Sequence, residues 1–289
     1  MNGSRPVYVS TGALAGKTVA EALAAATRLG LGAVELSSGM PHDPAAAMTA
    51  TAARQQFKLL VHNYFPAPAD PFVLNLAAAD PAVLDRSRAH ARAAMDLSAK
   101  LGAPFYAAHA GFMMQPQVSD LGRPFGTDAP LTPRADALAL FTDSVRDLLA
   151  YGRGLGVGFL VENNVVAPFN APNGRNDRLL LADPDEMLAF AAAIDDPGFG
   201  YLLDTGHLQV SARTLGFDLD AAMTALAPYI RAFHLSDNDG AADTNEPFGP
   251  DAWFLPWLRT CADAAVVIEL RRVPDAALAA CLDAVGPWL

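Results

Sequence analysis

Eight short β-prone runs recur along the chain, each followed by a longer stretch of helical periodicity, and this alternation leaves few folds open. The runs cover residues 7–10, 33–36, 58–62, 105–109, 158–162, 200–204, 230–234 and 265–269. Spread over 289 residues, that is one strand per about 36 residues, close to what a strand and its crossover helix require. Helix ends mark the same rhythm independently of hydropathy. A helix over 18–29 stops at Gly30, one over 81–101 starts with proline behind Asp80 and stops at Gly102, and Pro184 follows Asp183 in the same way. No composition shift, Ser/Gly linker or charge block divides the chain, so residues 1–289 are expected to form a single (β/α)8 TIM barrel rather than a doubly wound open sheet.

Composition narrows the function classes. With 52% hydrophobic and 18% charged residues, the chain is too apolar for an intrinsically disordered segment. Its 20 Lys and Arg against 31 Asp and Glu give a net charge of −11, which repels a polyphosphate backbone, so no nucleic-acid partner is expected. Arg5 and Pro6 are followed by no apolar leader core, and no apolar stretch reaches membrane-spanning length. The expectation is a cytoplasmic protein with no membrane partner. Cys261 and Cys281, in Ala-rich periodic segments, suit buried thiols better than a disulfide.

In such a barrel each strand ends at the catalytic mouth. From the third run onward the terminal residues are His62, His109, Glu162, Asp204, His234 and Glu269, all of metal-ligand type. Glu162, Asp204 and Glu269 would meet in an apolar barrel, where three ionised carboxylates repel one another and resist desolvation. No Lys ends a strand and the nearest following Arg is Arg271, so a divalent metal is the simplest neutralising partner. Imidazole and carboxylate without thiolate suit Mn²⁺, Zn²⁺, Co²⁺ or Mg²⁺ without choosing among them.

Arg271, two residues past Glu269, could hold a substrate oxygen, orient a glutamate or form a structural salt bridge. Insertions at 112–132 and 163–182, rich in Pro, Gly and Asn, follow strands rather than helices, which puts them on the active face as a substrate lid or as ordinary surface loop. Arg123, Arg175 and Arg178 within them read as solvated charge, with a grip on an anion as the alternative. Met113 and Met114 would wall the pocket or cover the barrel. The chain has no G-x-S-x-G elbow and no phosphate-binding P-loop. The Gly-rich stretch 152–158 reads as a turn into strand five.

Six segments, LVHNY (60–64), AHAG (108–111), VENN (161–164), DTGH (204–207), FHLSDNDG (233–240) and IELR (268–271), together resemble the xylose isomerase-like TIM barrels. That family includes sugar isomerases, ketose 3-epimerases and zinc-dependent abasic-site endonucleases. The resemblance implies one metal held by Glu162, Asp204, His234 and Glu269, with Glu162 and Glu269 as the acid/base pair of an isomerase or epimerase. The substrate would be a small ketose, sugar phosphate or polyol derivative reacting through an enediolate. It further implies His62 and His109 as ligands of a second metal. The third site of the endonucleases is matched at His207 and Asp243 but carries Asn245 in place of its last His, so one metal is expected with a second left open. His207 is then a substrate-hydroxyl partner or a packing histidine, Asp243 joins it on the substrate side, and Glu35 lines the pocket or supports it by hydrogen bonding. Dehydration of an inosose-type polyol and abasic-site phosphodiester cleavage are the alternative activities. Family members often assemble as homo-oligomers, although no feature here marks an interface.

Overall fold

The computed structural model describes residues 5–37, 39–126 and 129–289. Residues 1–4 of the N-terminal reading and 127–128 of the first insertion lie outside these. Eight parallel strands close on themselves, each pairing with its neighbour in sequence and the first with the last. They are β1 (Val7–Ser10), β2 (Ala33–Leu36), β3 (Lys58–His62), β4 (Phe105–His109), β5 (Gly158–Glu162), β6 (Tyr201–Asp204), β7 (Ile230–Leu235) and β8 (Ala265–Ile268). The expected (β/α)8 barrel is therefore present.

Around it run α1 (Val19–Arg28), α2 (Ala46–Ala53), α3 (Pro81–Leu101), α4 (Arg134–Leu155), α5 (Pro184–Ile194), α6 (Thr205–Leu215), α7 (Leu219–Leu226), α8 (Trp257–Thr260) and α9 (Asp275–Val285). Side-chain caps fix several of these helix starts. Asp80 Oδ1 accepts the Ala82 N–H, Asp183 Oδ1 that of Glu186 and Asp218 Oδ1 that of Ala221, each satisfying an N–H that the first helical turn leaves open. No helix is long and apolar enough to cross a membrane among the described residues.

Several boundaries differ from the sequence reading; β7 runs one residue further, to Leu235, and α1 lies one residue inside the expected range at each end. β6 starts at Tyr201, one residue late, where its pairing with β7 shifts register between Tyr201 and Leu202. β8 stops at Ile268, although the Glu269 N–H still donates to Leu235 O at 3.1 Å. The Gly-rich stretch at 152–158 is mostly helix: α4 continues through Leu155 and only Gly156, at φ 69°, turns the chain. Gly152 is needed there because a Cβ would lie 2.2 Å from Val157 O.

The alternation of side chains along a strand decides what the barrel holds. One cluster fills the interior with Tyr8, Ala33, Leu60, Ala107, Leu160, Leu202, Ala232 and Val267, one residue from each strand. Two residues further along the chain, on or just past the ends of the same eight strands, stand Ser10, Glu35, His62, His109, Glu162, Asp204, His234 and Glu269. The apolar layer is thus capped by a wholly polar one at the C-terminal mouth. Residues on the opposite strand face, such as Val9, Val61, Phe159 and Phe233, join the larger core beneath the helices. Both cysteines are free and buried, as expected.

Candidate metal centre

Glu162 is the hub of the polar layer. Fully buried at the end of β5, its Oε2 lies 3.2 Å from His62 Nε2 and 3.0 Å from His109 Nδ1, and its Oε1 lies 3.2 Å from His234 Nδ1. His234 Nδ1 also stands 3.0 Å from Glu269 Oε2 and 3.9 Å from Asp204 Oδ2. The other nitrogen of His234 is 3.0 Å from Glu35 Oε2, so Nε2–H donates to Glu35 and Nδ1 is turned toward the three carboxylates.

Asp204 does two things at once. Its Oδ1 caps α6 by accepting the His207 N–H at 2.8 Å, which leaves Oδ2 pointing into the cluster with no hydrogen-bond partner. Asn163 holds that position, its side chain accepting from Asp204 N at 2.8 Å and donating to Asp204 O at 3.2 Å. Asn163 stands in the VENN segment, but its role carried no signal, because side-chain bonds to a neighbouring strand's backbone have no periodicity.

The charges do not balance within the protein. Burial pushes Asp204 up to about 8, with His207 opposing and Glu269, Asp243 and Glu162 adding to the rise. Burial also works against ionised Glu269, but His234 outweighs it and holds the group at about 2. Glu162 is likewise held well below the usual carboxylate range by His109, His62 and His234 despite its burial. Burial would lower His62, His207 and His234, yet the facing carboxylates raise all three. His109, for which burial prevails, falls to about 4. Among the described residues, the ion pairs of Glu162, Asp204 and Glu269 are with histidines alone.

A divalent ion fits this arrangement. Ligand atoms of Glu162, Asp204, His234 and Glu269 all lie within 4.8 Å of one another, and the unpartnered Asp204 Oδ2 faces into the set. Oxygen and imidazole donors of this kind suit hard or borderline divalent ions, and the Glu35 bond to the far nitrogen of His234 is the usual support of a ligating imidazole. His62, His109 and Glu162 form a second such group, and Glu35, His62 and His234 a third.

The remaining candidates are also placed. Glu35 does not line the cavity above the cluster; it is fully buried behind His234. His207 Nδ1 donates to Asn163 O at 2.8 Å, and its Nε2 lies 3.5 Å from Asp243 Oδ2. The two residues meet at the mouth. Asn245, at φ 46°, accepts the Arg271 N–H through its backbone oxygen. The Arg271 guanidinium donates to Asp243 O at 3.0 Å rather than to a glutamate.

A cavity of about 500 Å³ opens over the cluster, with His109, His207, Asp243 and Arg271 on its wall. Both insertions cover it. Phe112 and Leu179 join them in an antiparallel bridge, Phe125 N donates to Asn170 Oδ1 at 2.8 Å, and Arg178 donates to Gly126 O at 2.7 Å. Arg178 is therefore a brace within the loops. Arg175 lies 3.8 Å from Asp177 in an exposed pair, and Met113 and Met114 are buried. Asn75 anchors the first insertion, accepting from Phe112 N and donating to the carbonyls of Phe112 and Met114.

The fold is shared with solved structures. A D-tagatose 3-epimerase-like protein superposes with a TM-score of 0.71 at 17% identity, covering 98% of both chains. D-psicose 3-epimerase with D-tagatose from Clostridium cellulolyticum gives 0.69 at 12% identity, covering 98% of this chain and 99% of that one. A protein from Thermus thermophilus soaked with zinc chloride gives 0.64 at 24% identity, covering 98% of both. A search of the curated proteins finds no match. The family model described as xylose isomerase-like TIM barrel matches residues 23–271, the span that carries seven of the eight strands and every ligand candidate named above, and the chain belongs to that family.

Proposed function

We propose that the protein is a divalent-metal-dependent isomerase or epimerase acting on a small ketose, sugar phosphate or polyol derivative. The observation that carries this reading is the convergence of Glu162, Asp204, His234 and Glu269 ligand atoms within 4.8 Å at the mouth of the barrel. The 3-epimerases among the structural neighbours support the substrate class. A cation held by these four residues supplies a Lewis acid that polarises a carbonyl and favours loss of a proton from the neighbouring carbon.

The chain's own groups handle that proton. Glu162 and Glu269 enter from β5 and β8 and are both held ionised, Glu269 at about 2. Glu269 removes the proton from one face and is left protonated, while Glu162, once it has taken a proton from the neighbouring His62 imidazole, returns one to the opposite face. Return to the opposite face inverts the centre. His62, 3.2 Å from Glu162 Oε2 with its imidazole pushed up, is placed to exchange a proton with that carboxylate. His207, with Nδ1 fixed on Asn163 O, presents its other nitrogen to a substrate hydroxyl beside Asp243.

The test is deuterium wash-in. D-Tagatose, D-fructose and an inosose are incubated in heavy water with the manganese-loaded protein, and label is sought at the carbon next to the carbonyl. Incorporation that disappears in Glu269→Gln is expected. Absence of exchange with every ketose and inosose, on protein shown to hold manganese, would overturn the reading. Loss of a hydroxyl from the inosose would instead assign the dehydratase activity.

A second reading rests on His62, His109 and Glu162, whose ligand atoms also lie within 4.8 Å and could hold another ion for phosphodiester cleavage. The −11 charge and Asn245 oppose it. Chelator-sensitive nicking of an abasic duplex at low salt would establish this activity.

A further inference from the structure

The cavity over the cluster has two chemically different ends. At the cluster stand His109, His207, Asp243 and Arg271; beyond them the wall is made by Phe72, Phe112, Val118, Leu121, Phe125 and Phe169. Of the six large hydrophobic residues exposed among the described residues, three line this one cavity: Val118 and Leu121 at 50% and Phe169 at 42%. Exposed apolar side chains scattered singly need no explanation, whereas a concentrated patch contiguous with a polar site marks a binding surface.

The polar groups along the apolar end are few and mostly brace the loops. Asn164 Nδ2 faces the carbonyls of Ala110, Gly111 and Leu180. Asn170 accepts from Phe125 N and donates to Arg123 O, and the Tyr64 hydroxyl accepts the Phe72 N–H at 2.5 Å. Buried side-chain oxygens without a partner line the cavity elsewhere, Asp243 Oδ1 and the Asn63 Oδ1 next to His62. A free ketohexose bears a hydroxyl on nearly every carbon. Its distal hydroxyls would be desolvated here against phenylalanine, leucine and valine with few partners, which is unfavourable.

We infer that the substrate joins a chelating α-hydroxycarbonyl unit to an apolar, alkyl or aryl, substituent, and that this substituent lies between the two insertions against Leu121, Phe125 and Phe169. This rests on the reading of the cluster as a metal-dependent proton-transfer site. The volume of about 500 Å³ falls within the roughly 300–1,000 Å³ typical of small-molecule sites and leaves room for such a substituent.

The experiment compares three probes on the manganese-loaded protein: phenacyl alcohol, hydroxyacetone and D-fructose. Binding is measured calorimetrically and exchange by deuterium wash-in. Phenacyl alcohol should bind about tenfold or more tighter than either other probe, the value of burying one ring. In the double variant Leu121→Asn, Phe169→Asn, both at exposed positions, the ratio of phenacyl alcohol to hydroxyacetone affinity should fall severalfold; using a ratio cancels any general loss of fold or metal. D-Fructose binding as tightly as phenacyl alcohol, or a ratio indifferent to the two substitutions, would overturn the inference while leaving the proton-transfer site standing. Failure of all three probes to bind or exchange on protein with stoichiometric manganese would overturn both.

Discussion

Glu35 fixes which nitrogen of His234 faces the carboxylates. Its carboxylate takes the Nε2 side at 3.0 Å and leaves Nδ1 for Glu162 and Glu269. Glu35→Gln keeps the shape but removes the charge that makes the imidazole a stronger donor. Metal affinity is expected to fall about tenfold or more, as for other outer supports of ligating histidines, in competition with a chelating dye. An unchanged affinity would show that Glu35 only fills space. The sequence offered this supporting place beside a pocket-lining one and gave no means of choosing, because the partner is 199 positions away in the chain. Arg271 was equally opaque: the reading past Glu269 placed it near the mouth, while its bond to a backbone carbonyl depends on a loop no strand pattern describes.

At the scale of elements, the junction of β6 and α6 turns on Asp204, whose Oδ1 caps the helix while Oδ2 faces the cluster. Two substitutions separate those roles. Asp204→Asn retains a good capping side chain and should leave the chelator-treated protein at least as stable as the parent, with metal binding lost. Asp204→Ala removes the cap as well and should cost about 1 kcal/mol more in urea unfolding. Equal stability of the two variants would deny the capping role. Asn75 poses a similar question for the first insertion: Asn75→Ala strands buried backbone groups of Ala77, Phe112 and Met114, for an expected loss of about 2–4 kcal/mol. Measured urea stability within error of the parent would contradict this.

The same elements show why much of the architecture was legible. Inward positions recur every second residue, so an apolar layer followed by a polar one can be read directly from strands such as Leu160–Val161–Glu162 and Ala232–Phe233–His234. Helix ends at Asp80, Gly102 and Asp183 were readable because caps are local. The hydrophobic cavity was not: Phe72, Phe112 and Phe169 come from three separate loops, and loop residues converge by tertiary packing that leaves no period. The 152–158 glycines were misread for a related reason, since Gly152 is small to admit Val157 O and not to make a turn.

For the whole molecule, the unbalanced cluster ties stability to pH and to metal. Asp204, His62, His207 and His234 all have folded values raised above their ordinary ones, Asp204 to about 8. A raised group contributes stability below its unfolded value that is lost as pH climbs through the folded one. Lowered Glu162 and Glu269 act in the opposite sense, but their contribution is already complete well below neutrality, and that of His109, lowered to about 4, is complete once pH exceeds the unfolded histidine value of about 6.5. Thermal melts with chelator should therefore fall as pH rises from about 6.5 to 9. Added Mn²⁺, which displaces those protons, should stabilise more at the upper end of that range. A manganese effect that is flat with pH would contradict this linkage.

The central claim is that residues from β5, β6, β7 and the end of β8 surround one divalent ion. Anomalous diffraction from a crystal of manganese-loaded protein, collected on both sides of the metal edge, tests it most directly. The expected result is a strong peak in contact with Glu162, Asp204, His234 Nδ1 and Glu269. A map with no peak among these four side chains, or with its peak elsewhere in the barrel, would contradict the account.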